Sequence, residues 1–296
     1  MPSKKLPDNA GTSVTVMDLD GYYLPTFNEL KNHEEELRSI PDWQARDDDL
    51  MICTYPKSGT HWIWEIVSML VKKKAERVSA VKETAMLEIM AKATLDNMPS
   101  PRVLNSHVYF EYLPKDFAKR RCKIIYAMRN PKDVAVSFFN HHSKICEYEF
   151  SGTWENYVQR FLKGDVDYGT WFDYTQKWEK FMADNPEYPI FMTTYEDMKQ
   201  DPLRQVTRIA KFLEIDCDQA FLQEVTDLCQ FDRMKKEKDA LGEQVDAWKD
   251  GVPGMYRKGQ VGDWKNWFTV AQSELFDRVY QERMKDSKVQ PRFTLS

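Results

Sequence analysis

The stretch MICTYPKSGTHWIWEIV, Met51 to Val67, decides how this chain folds. A short apolar run ends at Tyr55 and Pro56. Lys57, Ser58, Gly59 and Thr60 follow, and then an amphipathic run rich in large residues. The order reads as strand, tight loop, helix. Pro56 stiffens the turn, and Gly59 lets backbone approach a ligand closely. A helix that starts here presents free N–H groups and the positive end of its dipole to the loop. Lys57 adds a full charge, and Ser58 and Thr60 add hydroxyl donors. The G-x-x-x-x-G-K-[ST] order of a nucleoside triphosphatase is absent. The composition thus suggests an anion site of another kind, with a plain turn bearing a solvated lysine as the alternative.

The same alternation continues along the chain. LMICTY (Leu50–Tyr55), RVLNSH (Arg102–His107), CKIIYAM (Cys122–Met128) and PIFMTTY (Pro189–Tyr195) are short and apolar on both faces, as buried parallel strands are. Helical patterns cover Thr60–Lys74, Lys132–Ser143, Asp173–Met182, Leu203–Leu213 and Ala271–Met284. Strands and helices in turn predict an α/β fold with a parallel sheet covered by helices. Ligands of such sheets bind beyond the carboxyl ends of the strands. Three chemically interesting segments stand there: after Tyr55, at His107 and after Met128. Residues 1–15 lack periodicity and read as a flexible tail. No linker or repeat divides residues 16–296, which read as a single domain.

Totals narrow the function classes. The net charge is −5, which disfavours a general nucleic-acid or membrane surface, so an anion site must be a local basic pocket. Five cysteines are scattered without a C-x-x-C, which suggests reduced thiols and a cytoplasmic setting. No apolar signal core opens the chain. The most apolar segment, Trp62–Val71, contains Glu65 and is too short to span a bilayer.

Further segments carry chemistry. In YAMRNPKDVAVSFF a strand ends at Met128 and Pro131 starts a helix. Arg129 and Ser137 can converge on a second anion, although an arginine alone more often pairs with a carboxylate. His107 closes a strand-like run at the active edge and is a candidate general base. His141 and His142 are adjacent and diverge on a helix. No Cys or Asp stands at ligand spacing, so no metal is expected. Arg257, Lys258 and Gly259 make a compact basic loop. Trp62, Tyr195 and Phe231 can stack on a base.

Together TYPKSGTHW, MPSPRVLNSH, RNPKDVAVS, TTYEDMKQDP, RKGQVGDWK and KNWFTVAQSE resemble the cytosolic sulfotransferase family in order and spacing, from about Tyr22 to Met284. The resemblance implies one domain with a five-stranded parallel sheet, akin to nucleotide kinases. It implies 3′-phosphoadenosine 5′-phosphosulfate as donor and 3′-phosphoadenosine 5′-phosphate (PAP) as product, with no metal. Lys57, Ser58, Gly59, Thr60, His61 and Trp62 would hold the phosphosulfate. Arg129, Ser137, Arg257, Lys258 and Gly259 would hold the 3′-phosphate. Trp62, Tyr195 and Phe231 would frame the adenine, with Cys229 and Met234 beside it. Catalytic roles fall to His107 as base, Lys57 at the leaving phosphate, and the positions of Asn105 and Ser137. KNWFTVAQSE, Lys265–Glu274, matches the family's dimer signature and implies a homodimer.

Departures from the family pattern bear on function. Phenol-type members carry a lysine two residues before the histidine, where this chain has Asn105; hydroxysteroid-type members also lack it. His61 stands where many members have threonine. Cys229 and Gln230 replace a common Thr-Ser. Tyr22, Tyr109, Phe139, Tyr148 and Trp248 suggest a flat apolar pocket for a phenol, steroid or other lipophilic alcohol. Two further readings stay open: a dehydratase acting through a transient sulfate ester, and a non-catalytic donor-binding homologue.

Overall fold

All four apolar runs become strands, and a small antiparallel sheet precedes them. In chain order the strands are β1 (Lys4–Pro7), β2 (Ser13–Leu19), β3 (Tyr22–Leu24), β4 (Leu50–Thr54), β5 (Val103–Ser106), β6 (Lys123–Met128) and β7 (Ile190–Thr194). The computed structural model describes residues 3–26, 32–242, 247–251 and 255–295. The parallel sheet has the order β5-β4-β6-β7. Its register sets Ile52 opposite both Asn105 and Ile125.

Alternation across the central strands builds two cores. Met51, Cys53, Ile124, Tyr126 and Met128 join one cluster, and Ile52, Ile125 and Ala127 join the other. Side chains of a strand point to opposite faces in turn, so both faces must be apolar when helices cover both. The helix Thr60–Lys72 covers one face with Ile63, Ile66, Val67 and Leu70. On the other face lie Val134, Ala135 and Phe138 of the helix Pro131–Lys144 and Trp171, Phe172, Tyr174 and Trp178 of Trp171–Asp184. Asn130 caps the first of these, accepting from the Asp133 N–H, and Pro131 takes the first position.

Two expectations are revised. The parallel sheet has four strands, not five. On the outer side of β5 a single parallel bridge forms among the described residues, Met86 to Asn105. The chain cannot continue the ladder there, because the N–H groups of Ile89 and Met90 turn back to the Met86 carbonyl. The stretch expected as a flexible tail carries β1 and the start of β2, paired from Lys4–Val16 to Pro7–Ser13. Asp8 closes that hairpin by accepting from the Ala10 and Thr12 N–H groups, and Leu6, Val14 and Val16 are buried. Among the described residues no helix is long and apolar enough to cross a membrane. All five cysteines are free thiols.

Candidate active site

The loop after β4 is shaped by its backbone. Lys57 has φ 68° and Gly59 φ 103°. A left-handed lysine is strained by about 1–3 kcal/mol, and Arg129 Nη1 holds it by donating to its carbonyl at 3.2 Å. A Cβ on Gly59 would come within 3.0 Å of the Tyr195 ring, so glycine is needed for both reasons. Thr60 Oγ1 lies 2.7 Å from Thr54 Oγ1, tying the helix start to the strand end. Ser58 Oγ is fully buried without a partner among the described residues.

Lys57 is half-buried, with its ammonium turned inward onto protein groups. Its Nζ is 3.4 Å from His141 Nδ1 and 3.3 Å from Met255 Sδ, with no carboxylate among these partners. Burial, reinforced by the charges of Lys82 and Arg129, lowers its pKa to about 7. A lysine kept so poorly compensated is prepared to meet an anion.

His107 is fixed from both sides. Its backbone N–H donates to Glu88 Oε1 at 2.6 Å. Its Nδ1 lies 2.8 Å from the Thr54 carbonyl oxygen. A carbonyl only accepts, so Nδ1 carries the proton and Nε2 keeps the lone pair. Burial and then the Lys82 charge hold His107 well below the ordinary histidine pKa. The ring is therefore neutral near pH 7, with Nε2 able to take a proton.

A second cationic group assembles from distant segments. Arg129 donates from Nη2 to the Gln260 carbonyl at 2.9 Å and lies 4.2 Å over the Tyr195 ring. Arg257 and Lys258 both donate to Asp263, at 2.6 and 2.7 Å. The Nε atoms of Arg129 and Arg257 are buried without partners among the described residues. Gly259, at φ 63°, packs so closely on Phe231 that a Cβ would lie 2.2 Å from its ring. Glycine here sets the basic loop directly on an aromatic wall.

These segments enclose a cavity of about 730 Å³. Of the expected site residues it brings together Lys57, Gly59, Thr60, His61, Trp62, His107, Arg129, Ser137, Tyr148, Tyr195, Cys229, Phe231, Met234, Trp248, Arg257, Lys258 and Gly259. Trp62 meets Tyr195 edge-on at 5.7 Å. His61 Nε2 approaches Glu83 at 3.2 Å. Tyr148 is held by donating to Asp167, whose other oxygen lies 2.7 Å from His142. Trp248 is pinned by its bridge to Ile145.

Five expected residues do not line the cavity. Ser58 lies beneath the loop, fully buried. Asn105 is fully buried and donates to the Lys82 carbonyl at 2.8 Å. Tyr22 stacks on Tyr109 and Tyr112 at 4.7 and 4.9 Å, so these rings saturate one another. Phe139 packs against Phe150, Trp154, Tyr157 and Trp267. Conversely, Lys82, Glu83, His141 and Tyr168 line the cavity without having been expected. The sequence carries one hint: His141 and His142 do diverge, the first to Lys57 and the second into the core.

The family description "Sulfotransferase domain" matches residues 47–288. Sulfotransferase 1 family member D1 of Mus musculus is 36% identical over 288 residues, covering 92% of this chain and 94% of its own length. The amine sulfotransferase of Oryctolagus cuniculus is 36% identical over 260 residues, covering 84% and 85%. Among solved structures, mouse sulfotransferase SULT7A1 complexed with PAP has a TM-score of 0.74 at 31% identity, covering 92% of this chain and 96% of that one. Retinol dehydratase in complex with retinol and PAP has a TM-score of 0.77 at 17% identity, covering 98% and 93%, a likeness of fold alone.

Proposed function

This chain belongs to the sulfotransferase family, and we propose that it moves a sulfuryl group from 3′-phosphoadenosine 5′-phosphosulfate to the hydroxyl or amine of a lipophilic small molecule. One observation carries the reading: a cavity joins two separate cationic groups to a neutral histidine. A donor with phosphates at both ends fits two such groups. The buried, unpartnered Ser58 Oγ, Arg129 Nε and Arg257 Nε fit a bound anion that would supply their missing partners.

When bound, the donor supplies an activated sulfuryl group on a phosphate leaving group. Lys57, Thr60, Trp62 and the helix N-terminus would hold that end; Arg129, Ser137, Arg257, Lys258 and Gly259 would hold the 3′-phosphate. The Lys57 ammonium stabilises charge that grows on the departing phosphate oxygen. Nε2 of His107 takes the acceptor's proton, with Nδ1–H anchored on Thr54. Apolar lining from Ile89, Met90, Phe138, Ile145 and Trp248 suits a lipophilic acceptor. The chain would act as one domain that includes the β1–β2 hairpin, and the free cysteines fit a cytoplasmic setting. A radiolabelled donor offered with phenols, steroids, bile alcohols and amines tests the reading. Labelled sulfate ester supports it; no transfer to any member of the panel rejects it.

Proton linkage gives a separate check. With a pKa of about 7 in the free protein, Lys57 is mostly neutral above that pH. Binding phosphates favours its charged form, so binding takes up a proton there. PAP affinity should fall as pH rises above about 7, by up to about tenfold per pH unit. Calorimetry in buffers of different ionisation heat measures the uptake directly. A flat affinity with no proton uptake contradicts the role given to Lys57.

The segment Lys265–Glu274 is proposed to form a homodimer. Thr269 caps the helix Val270–Arg283 in a reciprocal box with Gln272, and Val270 stands 76% exposed at its start. An apolar residue presented on a fixed helix start suits a small contact patch. Sedimentation should give twice the chain mass, and Val270→Glu should return it to the monomer. A wild-type mass of one chain at all concentrations refutes the dimer.

A further inference from the structure

Asn105 leaves the end of β5 without a cation, but the cavity wall beside it has one. Lys82 opens the short turn Lys82–Ala85, is 4% exposed and lines the cavity. Asn105 holds it in place: its Nδ2 donates to the Lys82 carbonyl at 2.8 Å, and its own carbonyl accepts from the Leu87 N–H at 3.1 Å. The segment 82–87 is thus clamped to β5 two residues before His107.

A buried lysine with a purely structural role should have its three N–H donors taken by good acceptors. Lys82 does not. Its Nζ has the Glu83 carboxylate at 3.2 Å, which it shares with His61, and the weakly accepting Met86 sulfur at 3.2 Å. Those partners leave one donor over among the described residues. The groups around it are Lys57, His61, His107 and His141 as bases and Glu83 and Glu88 as acids, and Arg129 donates to the Lys57 carbonyl. The Lys82 charge acts on both Lys57 and His107 and lowers the pKa of each.

We propose that Lys82 is a second cation of the reacting centre, carried by the turn beside β5 rather than by β5 itself, and that Asn105 is its positioning residue. The spare N–H of Lys82 is available to an oxygen of the transferring group, between the leaving side at Lys57 and the acceptor side at His107. An ammonium there stabilises charge that a neutral amide at Asn105 cannot reach from its buried place.

The proposal rests on sulfuryl transfer as the reaction, so the test has an arm that does not. In the free protein, histidine NMR titration should show the His107 midpoint moving up in Lys82→Met, because a repelling charge is gone. An unmoved midpoint overturns the proposal. In turnover, Lys82→Met should lose about 10²-fold in kcat with PAP affinity within about threefold of wild type. Lys82→Gln, similar in length and able to fill a polar wall, should lose as much. Lys82→Arg should keep more than about a tenth of the wild-type rate, and Asn105→Lys added to Lys82→Met should recover about tenfold. A kcat within about threefold of wild type in both neutral variants, or a loss that neither arginine nor the relocated lysine repairs, also overturns it. A wild type that transfers no sulfuryl group rejects the reaction instead, and the His107 titration then decides by itself where the Lys82 charge acts.

Discussion

His107→Ala should lower turnover by about 10²-fold or more and leave PAP affinity within a few-fold of wild type. The two halves of this result have different causes. His107 contacts Thr54, Glu88 and, edge-on at 5.3 Å, the Tyr168 ring. None of these belongs to the cationic groups assigned to the donor. Removing the ring therefore removes the proton acceptor and spares the phosphate sites. The wild-type rate should also stay flat down to pH values below the ordinary histidine range, because burial and Lys82 hold the free base. A variant with near-wild-type turnover, measured under saturating donor, sinks the general-base assignment.

Lys57→Met gives the second large effect, with opposite signs in two assays. Turnover falls by about 10²–10³-fold, the scale for losing one preorganised group that stabilises transition-state charge. Stability rises. In the folded chain Lys57 has a pKa of about 7 against the ordinary lysine value of 10.5, so folding disfavours its proton. Between these two values the unfolded chain binds more protons, and stability climbs with pH; below about 7 the full penalty applies. Methionine removes that penalty, so its gain in melting temperature is greatest near pH 6 and fades toward pH 10. Urea or thermal unfolding across this range checks it. A destabilised, fully active variant contradicts both parts. A residue that costs stability and supplies rate is what a functional site is expected to contain.

Much of this was readable from residues near one another in sequence. The four parallel strands are short apolar runs buried on both faces, and the helices after β4 and β6 begin where Gly59 and Asn130 place them. The loop after β4 is local in sequence, so Lys57, Gly59, Thr60, His61 and Trp62 line one cavity, with Ser58 buried beneath them. The N-terminal hairpin escaped because β1 is short and mostly exposed, KKLP, and owes its place to pairing with β2. Aromatic type alone points Tyr22, Tyr109 and Phe139 to the pocket, but type cannot tell a ring that faces a ligand from one that faces other rings. Lys82 and Glu83 gave no signal, and His141 gave only its divergence from His142. They reach Lys57 and His107 only through the tertiary fold: 84 positions separate Lys57 from His141. Asn105 was legible as a departure, but its hydrogen bond to Lys82 was not.

Mass balance in a single reaction tests the central claim most directly. The purified protein, radiolabelled phosphosulfate donor and an accepted lipophilic alcohol are followed for labelled ester and PAP together. Equal amounts of sulfate ester and PAP, both abolished in step by His107→Ala, are the expected result. PAP accompanied by free sulfate and an alkene, or donor bound but never consumed, would contradict it.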